Sequence, residues 1–367
     1  MGSSVVRITS IYPFTRRSPD HALAGNTLSR EYADYYTYYF YTRPDTTPPA
    51  APSQPDLDAS SDTGSSDSDN VTKNNTLKFT GFPGSAESGS TVKILVDGVE
   101  QGSATAATDG SYTITTSTLA DGAHSATATA TNTSGYTSGK SSALSFTIDT
   151  KAPVATAPAH SYAVDSAVAS ADSNSTVPVQ LAWSGTDSGS GVTKHELQQS
   201  LDGGGTFATV ASPTSTSLSQ HLKPGTTLYR FQVRAEDKAG NTSAFVAQPK
   251  DFKVTSYQET STSTVSYPAG TWTVQNLSDA YGTSLRYASA AKAKATFSVP
   301  AGSKNVAWVA PKASNRGKAD VYLDGVFQKT VDLYSSSPLA RQVVFSKDVS
   351  ATTSHKLEVR VLGTKCA

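Results

Sequence analysis

Cysteine is all but missing from this chain: one residue, Cys366, in 367. A lone cysteine closes no internal disulfide, so stability has to come from packing, bound ions or association, and Cys366 itself is assigned no role. An excess of charge of either sign is missing too. Thirty Lys and Arg balance thirty Asp and Glu for a formal net charge of zero, so no whole-molecule field draws the chain to nucleic acid or to an anionic membrane. No run approaches the roughly 18 apolar residues of a membrane span, and the N-terminal stretch MGSSVVRITSIYPFTRRSPDHALAG holds no apolar core of a secretory signal. Charged residues are scarce overall, 16% of the chain, and the polar remainder is mostly Ser, Thr, Gly and Asn. Helices are built from Ala, Leu, Glu, Lys, Gln and Arg, so this mixture predicts strands and turns.

Catalytic signatures are absent as well. The histidines, at 21, 124, 160, 195, 221 and 355, are scattered, and none has a second His at metal spacing. There is no Gly-x-Ser-x-Gly elbow. Gly135-Tyr-Thr-Ser-Gly-Lys-Ser141 misses the phosphate-loop pattern by one residue between its glycines, and its flanks read as strands. The Asn-x-Ser/Thr triplets follow from a Ser/Thr-rich composition and carry no assignment. The expectation is a protein that is not an enzyme.

What is present is punctuation and period two. Proline fixes φ and pushes the residue before it into extended conformation, so Asp45-Thr-Thr-Pro-Pro49 and Asp149-Thr-Lys-Ala-Pro153 read as stiff connectors. Their spacing is that of one Ig-sized sandwich of about 100 residues. A polar run, Ser256-Tyr-Gln-Glu-Thr-Ser-Thr-Ser-Thr264, marks a softer boundary. Four pieces result: an N-terminal segment 1–46, then units 47–150, 151–255 and 256–367. Thr91-Val-Lys-Ile-Leu-Val96 meets Asp97-Gly98, and Val321-Tyr-Leu323 meets Asp324-Gly325. Asp-Gly supplies the positive φ that two-residue hairpin loops demand, so both sites predict hairpins. Runs such as Leu228-Tyr-Arg-Phe-Gln-Val-Arg-Ala235 and Lys356-Leu-Glu-Val-Arg-Val-Leu362 alternate apolar and polar residues, as half-buried antiparallel strands do. The predicted fold class is all-β: three tandem β-sandwich domains behind a short aromatic N-terminal segment.

The motifs of each unit carry a resemblance. Asp56-Leu-Asp-Ala-Ser-Ser-Asp-Thr-Gly-Ser-Ser-Asp-Ser-Asp-Asn-Val-Thr72, followed by Leu77-Lys-Phe-Thr-Gly81 and Gly89-Ser-Thr-Val-Lys-Ile-Leu-Val-Asp-Gly98, resembles a bacterial Ig-like repeat of large surface adhesins. Trp183-Ser-Gly-Thr-Asp187, Tyr229-Arg-Phe-Gln-Val-Arg-Ala235 and Glu236-Asp-Lys-Ala-Gly-Asn-Thr-Ser243 resemble fibronectin-III-like or Ig-like modules of secreted bacterial proteins. Leu285-Arg-Tyr-Ala-Ser-Ala290, Val306-Ala-Trp-Val-Ala-Pro311 and Asn315-Arg-Gly-Lys-Ala-Asp-Val-Tyr-Leu-Asp-Gly325 resemble the jelly-roll, carbohydrate-binding-like modules of secreted actinobacterial proteins. Such modules usually run on into one more strand, so the resemblance leaves this unit short of its last strand or completed by a neighbour.

Three groups of residues are candidate sites. The acidic loop Asp56, Asp58, Asp62, Asp67 and Asp69 offers carboxylates that can converge on a Ca2+ ion, which takes six to eight oxygens. It lacks the Gly and Glu positions of an EF-hand. The adhesin resemblance implies calcium here, and the plain alternative is a solvated loop whose Asp, Ser and Asn bond their own backbone. In the last unit Trp272, Tyr281, Arg286, Tyr287 and Arg316 are candidates for carbohydrate binding, because flat C–H faces of sugars stack on aromatic rings and the module resembles glycan binders. Trp308 shares a strand face with Val306 and Ala310 and is expected in the core. Tyr32, Tyr35, Tyr36, Tyr38, Tyr39, Phe40 and Tyr41 concentrate aromatics in a segment too short for a core of its own. They are candidate docking residues toward a larger assembly; packing on the first sandwich or belonging to an upstream domain are the alternatives.

The functional expectation is a non-catalytic binding or adhesion protein, extracellular or at the cell surface, whose Ig-like units space a glycan- or surface-binding module. Ca2+ is the only cofactor implied, with no organic cofactor. The partners are a glycan or cell-surface polymer and an assembly contacted through 1–46, with no nucleic acid. Two other readings stand beside it: a phage virion structural protein such as a tail fibre or decoration protein, and the accessory part of a truncated secreted hydrolase.

Overall fold

The computed structural model describes residues 46–166, 176–278, 280 and 283–365. All regular structure among them is β, arranged as tandem sandwiches. In chain order the strands are β1 (Asp56–Leu57), β2 (Val71–Thr72), β3 (Lys78–Gly81), β4 (Thr91–Val96), β5 (Val99–Thr105), β6 (Tyr112–Thr115), β7 (Gly122–Thr131) and β8 (Leu144–Ile148). They continue as β9 (Val154–Ala155), β10 (Ala159–Tyr162), β11 (Val177–Ala182), β12 (Gly185–Thr186), β13 (Val192–Ser200), β14 (Ala208–Ala211), β15 (Ser217–Leu222), β16 (Arg230–Asp237) and β17 (Val246–Ala247). The last group is β18 (Val265–Ala269), β19 (Thr273–Asn276), β20 (Ser284–Tyr287), β21 (Lys294–Val299), β22 (Asn305–Lys312), β23 (Gly317–Leu323), β24 (Val326–Asp332), β25 (Leu339–Asp348) and β26 (His355–Lys365). Two compact units result: Met1–Asp56, Phe79–Ile114 and Ala126–Leu144 form one, and Leu57–Lys78, Thr115–Ser125 and Ser145–Ala367 the other.

In the first unit β4 pairs antiparallel with both β5 and β7. Its inward positions follow the period-two pattern: Val92, Ile94 and Val96 on β4, and Ala126, Ala128 and Ala130 on β7, are buried. The β4–β5 turn is Asp97-Gly98 with both φ positive, 52° and 85°, and Val96 pairs Val99 across it. Only a residue tolerant of the left-handed region fits there, which is why Asp-Gly encodes it. Gly81 is required by close approach: a Cβ on it would lie 2.2 Å from the Tyr112 ring.

In the second unit β2 runs parallel to β8. Beyond them, β14-β13-β16-β17 and β10-β11-β15 are the two sheets of a sandwich. Its core holds Leu181, Leu197, Phe231 and Val233, fully buried; each such side chain stabilises the fold by about 1.5–3 kcal/mol over exposure. Tyr229 closes a corner of this sandwich: its hydroxyl accepts from Lys223 N at 2.9 Å and donates to Lys223 O at 3.1 Å, a device typical of Greek-key sandwiches. The last sandwich sets the five-stranded sheet β18-β21-β26-β23-β24 beside the β22–β25 pair and the β19–β20 hairpin. Val299, Val306, Val321, Phe345 and Leu357 form its core, with Trp308 packed against them. Asp324-Gly325 makes its two-residue hairpin, φ 51° and 81°, with Leu323 opposite Val326.

Candidate functional site

The strongest chemical constellation forms where three separate segments of the second unit meet. On β16 the inward positions are Phe231, Val233 and Ala235, and Asp237 takes the next inward slot, 0% exposed. The alternation that buries the apolar residues therefore buries a carboxylate. Asp149 follows Ile148 at the end of β8 and is 2% exposed. Asp187 lies just past β12, half-buried. Ligand oxygens of these three carboxylates lie within 4.8 Å of one another, the one such group of three among the described residues.

Each carboxylate is held by neighbours that leave lone pairs over. Ser190 donates to Asp149 Oδ2 through its backbone N at 2.7 Å and its hydroxyl at 2.6 Å. The N–H groups of Gly189 and Gly191 donate to Asp187 Oδ2 at 2.9 and 2.7 Å. Asn241 donates its backbone N–H to Asp237 Oδ1 at 2.8 Å, and its amide Nδ2 donates both to Asp237 Oδ2 at 2.8 Å and to Asp149 O at 2.7 Å. The loop closes only because residue 189 is glycine: a Cβ there would sit 2.3 Å from Asp149 Cγ.

The electrostatics demand a positive partner. Among the described residues no lysine or arginine forms an ion pair with any of the three; Lys151 reaches Asp121, Lys238 reaches Asp69 and Lys194 reaches Glu236. At an effective dielectric of about 20, two like charges this close repel by about 3 kcal/mol or more. Burial pushes the Asp237 carboxyl above the usual carboxylate range, and the charges of Asp149 and Asp187 push the same way against the Asn241 hydrogen bonds. Oxygen-only, multiply charged and partly buried, the group fits a hard divalent cation such as Ca2+, for which Asp149, Asp187 and Asp237 are the side chains to hold it.

The acidic loop expected to bind calcium lies alongside. No three of Asp56, Asp58, Asp62, Asp67 and Asp69 bring ligand atoms within that distance. Asp58 binds Ser60 through its backbone N–H and hydroxyl, which hold its carboxyl below the usual range. Asp62, 4% exposed, accepts from Asn70 N at 2.9 Å, while its Oδ1 is buried without a partner and burial pushes its carboxyl up. Asp69 accepts from Val71 N at 3.1 Å and pairs with Lys238 at 3.6 Å. Asp56 and Asp67 are exposed. The loop docks on the turn that carries Asp237: Thr63 Oγ1 donates to Ala239 O at 2.9 Å and Lys73 Nζ to Gly240 O at 3.0 Å. The acidic loop adjoins the trio, which the sequence reading did not single out. The signal was there in two forms: an Asp opens the Pro-containing connector, and another continues the inward face of β16.

The aromatic and basic candidates of the last sandwich border a cleft of about 1650 Å³. Trp272, Arg286, Tyr287 and Arg316 all line it, and Tyr281 lies outside the described residues. Tyr267, which sequence reading did not single out, packs against two of them, Trp272 and Arg286. Its ring centre is 5.1 Å from that of Trp272, and the Arg286 guanidinium sits 4.8 Å over its face. Trp272 Nε1 donates to Ala269 O at 3.1 Å, and Tyr287 is 40% exposed. Arg286 lies opposite Val274 across the β19–β20 hairpin, and Arg316 Nη2 stands 3.5 Å from Gln275 Oε1 on that hairpin. The candidate docking residues Tyr32, Tyr35, Tyr36, Tyr38, Tyr39, Phe40 and Tyr41 lie outside the described residues.

Residues 48–150 match the family model described as bacterial Ig-like domain, so an Ig-like repeat stands at that place in the chain. No curated protein matches the sequence. Among solved structures, the fibronectin(III)-like modules of Clostridium thermocellum CbhA are 15% identical, covering 57% of this chain and 92% of that one with a TM-score of 0.30. A tetra-tandem repeat from the extending region of a large adhesion protein is 14% identical, covering 86% and 75% with a TM-score of 0.21. The BSP domain of a biofilm-associated protein is 16% identical, covering 50% and 28% with a TM-score of 0.18. Superpositions this partial carry no argument about function. No helix among the described residues is long and apolar enough to cross a membrane.

Proposed function

We propose that this chain is a non-catalytic, modular binding protein of the adhesin type, working outside the cell or at its surface. Its Ig-like units act as a spacer stiffened by calcium, and its last sandwich recognises a glycan. The observation that carries the spacer reading is the trio Asp149, Asp187 and Asp237, which draws on both sides of the Pro-containing connector. A bound Ca2+ supplies the positive charge that these carboxylates lack, and so exchanges their mutual repulsion for a tie between β8, the loop after β12 and the end of β16. Ser190, Gly189, Gly191 and Asn241 pre-position the oxygens, so little ordering cost remains for the ion to offset. The Ig-like match over 48–150 supports the adhesin-type class.

The test is thermal melting of the full chain in chelator and in graded calcium. The expected result is a melting temperature that rises with calcium and saturates, and that Asp237→Asn renders insensitive. A melting temperature indifferent to calcium and to chelator overturns the ion-stiffened spacer.

A further inference from the structure

The cleft is lined by residues of the last sandwich and also by His160, Tyr162, Val179, Lys250 and Lys253 of the preceding one. In a chain whose formal net charge is zero, its lining includes seven Lys and Arg against two Asp and Glu. Lys250, Lys253, Arg286, Lys304 and Arg316 are among the seven, and among the described residues none of them stands within 4.0 Å of a carboxylate in an ion pair. Two of these cations are anchored beside the β19–β20 hairpin. Tyr267 fixes the Arg286 guanidinium from one side, and Arg316 reaches only a distant neutral amide oxygen. The Nε–H groups of Arg286 and Arg316 are buried without an acceptor. Cations concentrated on concave walls focus a positive potential into the space between them. Guanidinium groups match planar, two-oxygen anions, whereas a neutral sugar hydroxyl leaves their charge uncompensated. The space itself, about 1650 Å³, exceeds the several hundred Å³ typical of small-molecule pockets and suits several linked sugar rings.

From this we infer that the cleft selects anionic glycans, polymers whose sugars carry carboxylate or phosphate groups, over neutral ones. The inference rests on the glycan-binding reading of the last sandwich and names the chemistry of the ligand. Arg286 and Arg316 grip the anionic group, Tyr287 and Trp272 offer faces to the adjoining rings, and Lys253 and Lys304 hold the polymer by charge alone.

The experiment is calorimetric titration of the full chain with polygalacturonate, with its methyl-esterified form, with phosphomannan, with neutral mannan and with a single-stranded oligonucleotide. Each is measured at low and high salt. The expected result is binding to polygalacturonate or phosphomannan, weakening on methyl esterification and at high salt. The better of the two identifies the anionic group. Loss of one charge-assisted hydrogen bond in Arg286→Gln or Arg316→Gln lowers affinity about tenfold. Lys253→Gln, between the core residues Phe252 and Val254 of the preceding sandwich, gives a smaller loss and greater sensitivity to salt, and serves where an arginine variant melts early. Equal affinity for charged and neutral glycans overturns the inference and leaves the glycan reading standing. Binding to none of the polysaccharides overturns both, and tighter binding to the oligonucleotide than to either anionic glycan also overturns the inference.

Discussion

The turn Asn132–Ser138 and the turn Asp237–Ser243 are the same piece of backbone built twice. In each, the first residue takes the inward slot after a row of buried strand residues: Ala126, Ala128 and Ala130 in one, Phe231, Val233 and Ala235 in the other. Asn132 N donates to Tyr136 O and Asp237 N to Asn241 O, both at 3.0 Å. The side-chain oxygens cap the turn alike, accepting from Tyr136 N at 3.0 Å and Asn241 N at 2.8 Å. Gly135 and Gly240 share a φ of 89°. Ser138 and Ser243 each accept from the alanine N–H on the preceding strand, at 2.9 and 3.0 Å. The contrast is one atom at the head of the turn. Asn132 has an amide and donates it to Thr47 O at 3.0 Å, which is a self-contained, neutral arrangement. Asp237 has a second oxygen, cannot donate, and leaves the bond to the connector, 2.7 Å to Asp149 O, to Asn241. The same fold element is thus a neutral clasp in one place and one third of an acidic cluster in the other, so backbone geometry sets the position and side-chain charge sets the role.

Substitutions at matched positions test this contrast. The largest difference is expected at the shared glycines. A Cβ on Gly240 would lie 2.8 Å from Gly64 Cα, whereas one on Gly135 meets nothing within 4 Å. Gly135→Ala carries only the left-handed backbone cost of about 1–2 kcal/mol, and Gly240→Ala adds a backbone clash for a total of about 3 kcal/mol or more. Denaturant unfolding of both variants reads this directly, and equal losses break the assignment of a tight docking to one turn alone. Next comes the ion. If the trio holds Ca2+ as proposed, calcium at about a hundred times its dissociation constant is expected to stabilise the protein by about 2.7 kcal/mol. Asp237→Asn abolishes most of that gain, while Asn132→Ala leaves it intact.

A smaller effect appears in chelator as pH is varied. The Asp237 carboxyl is raised in the folded state, so between its folded and unfolded pKa the folded chain binds more protons. Stability contributed by this group therefore increases as pH falls through the raised value, and is lost again as pH rises. In Asp237→Asn that part of the profile flattens, and the Asn132 turn contributes nothing to it. A parent and variant with superimposable melting profiles over the acidic range contradict the shift. The smallest contrast is meant to be no contrast: Ser138→Ala and Ser243→Ala each remove two side-chain hydrogen bonds to backbone, one accepted from the strand alanine and one donated to the next carbonyl, costing about 2 kcal/mol. Costs that differ by more than the turns' common geometry permits indicate that the two turns are not equivalent after all.

Much of the fold was legible because its rules are local. Alternation along Leu228–Ala235 predicted the strand that became β16, and Asp97-Gly98 and Asp324-Gly325 predicted their hairpins because few other pairs tolerate two positive φ values. The site was less legible. The five aspartates of the acidic loop were conspicuous by their density, yet density in sequence is not convergence in space. Asp58 gives its Oδ1 to both donors of Ser60, and Asp69 divides its oxygens between Val71 N and Lys238. Asp149, Asp187 and Asp237 are each unremarkable as single residues. The cleft residues were found by type, but Tyr267, which steadies both Trp272 and Arg286, had no mark in the sequence beyond being aromatic.

The sequence by itself determined the period-two strands, the positive-φ turns and the inward slots into which Asn132 and Asp237 fall, since each of these depends on a residue and its immediate neighbours. Only the tertiary structure decided that the inward carboxylate of β16 meets those of Asp149 and Asp187, and that cations from Lys250 to Arg341 collect along one cleft. Charges far apart in the chain acquire their interaction energy from distance and burial, and strand pairing, loop closure and packing fix both of those together.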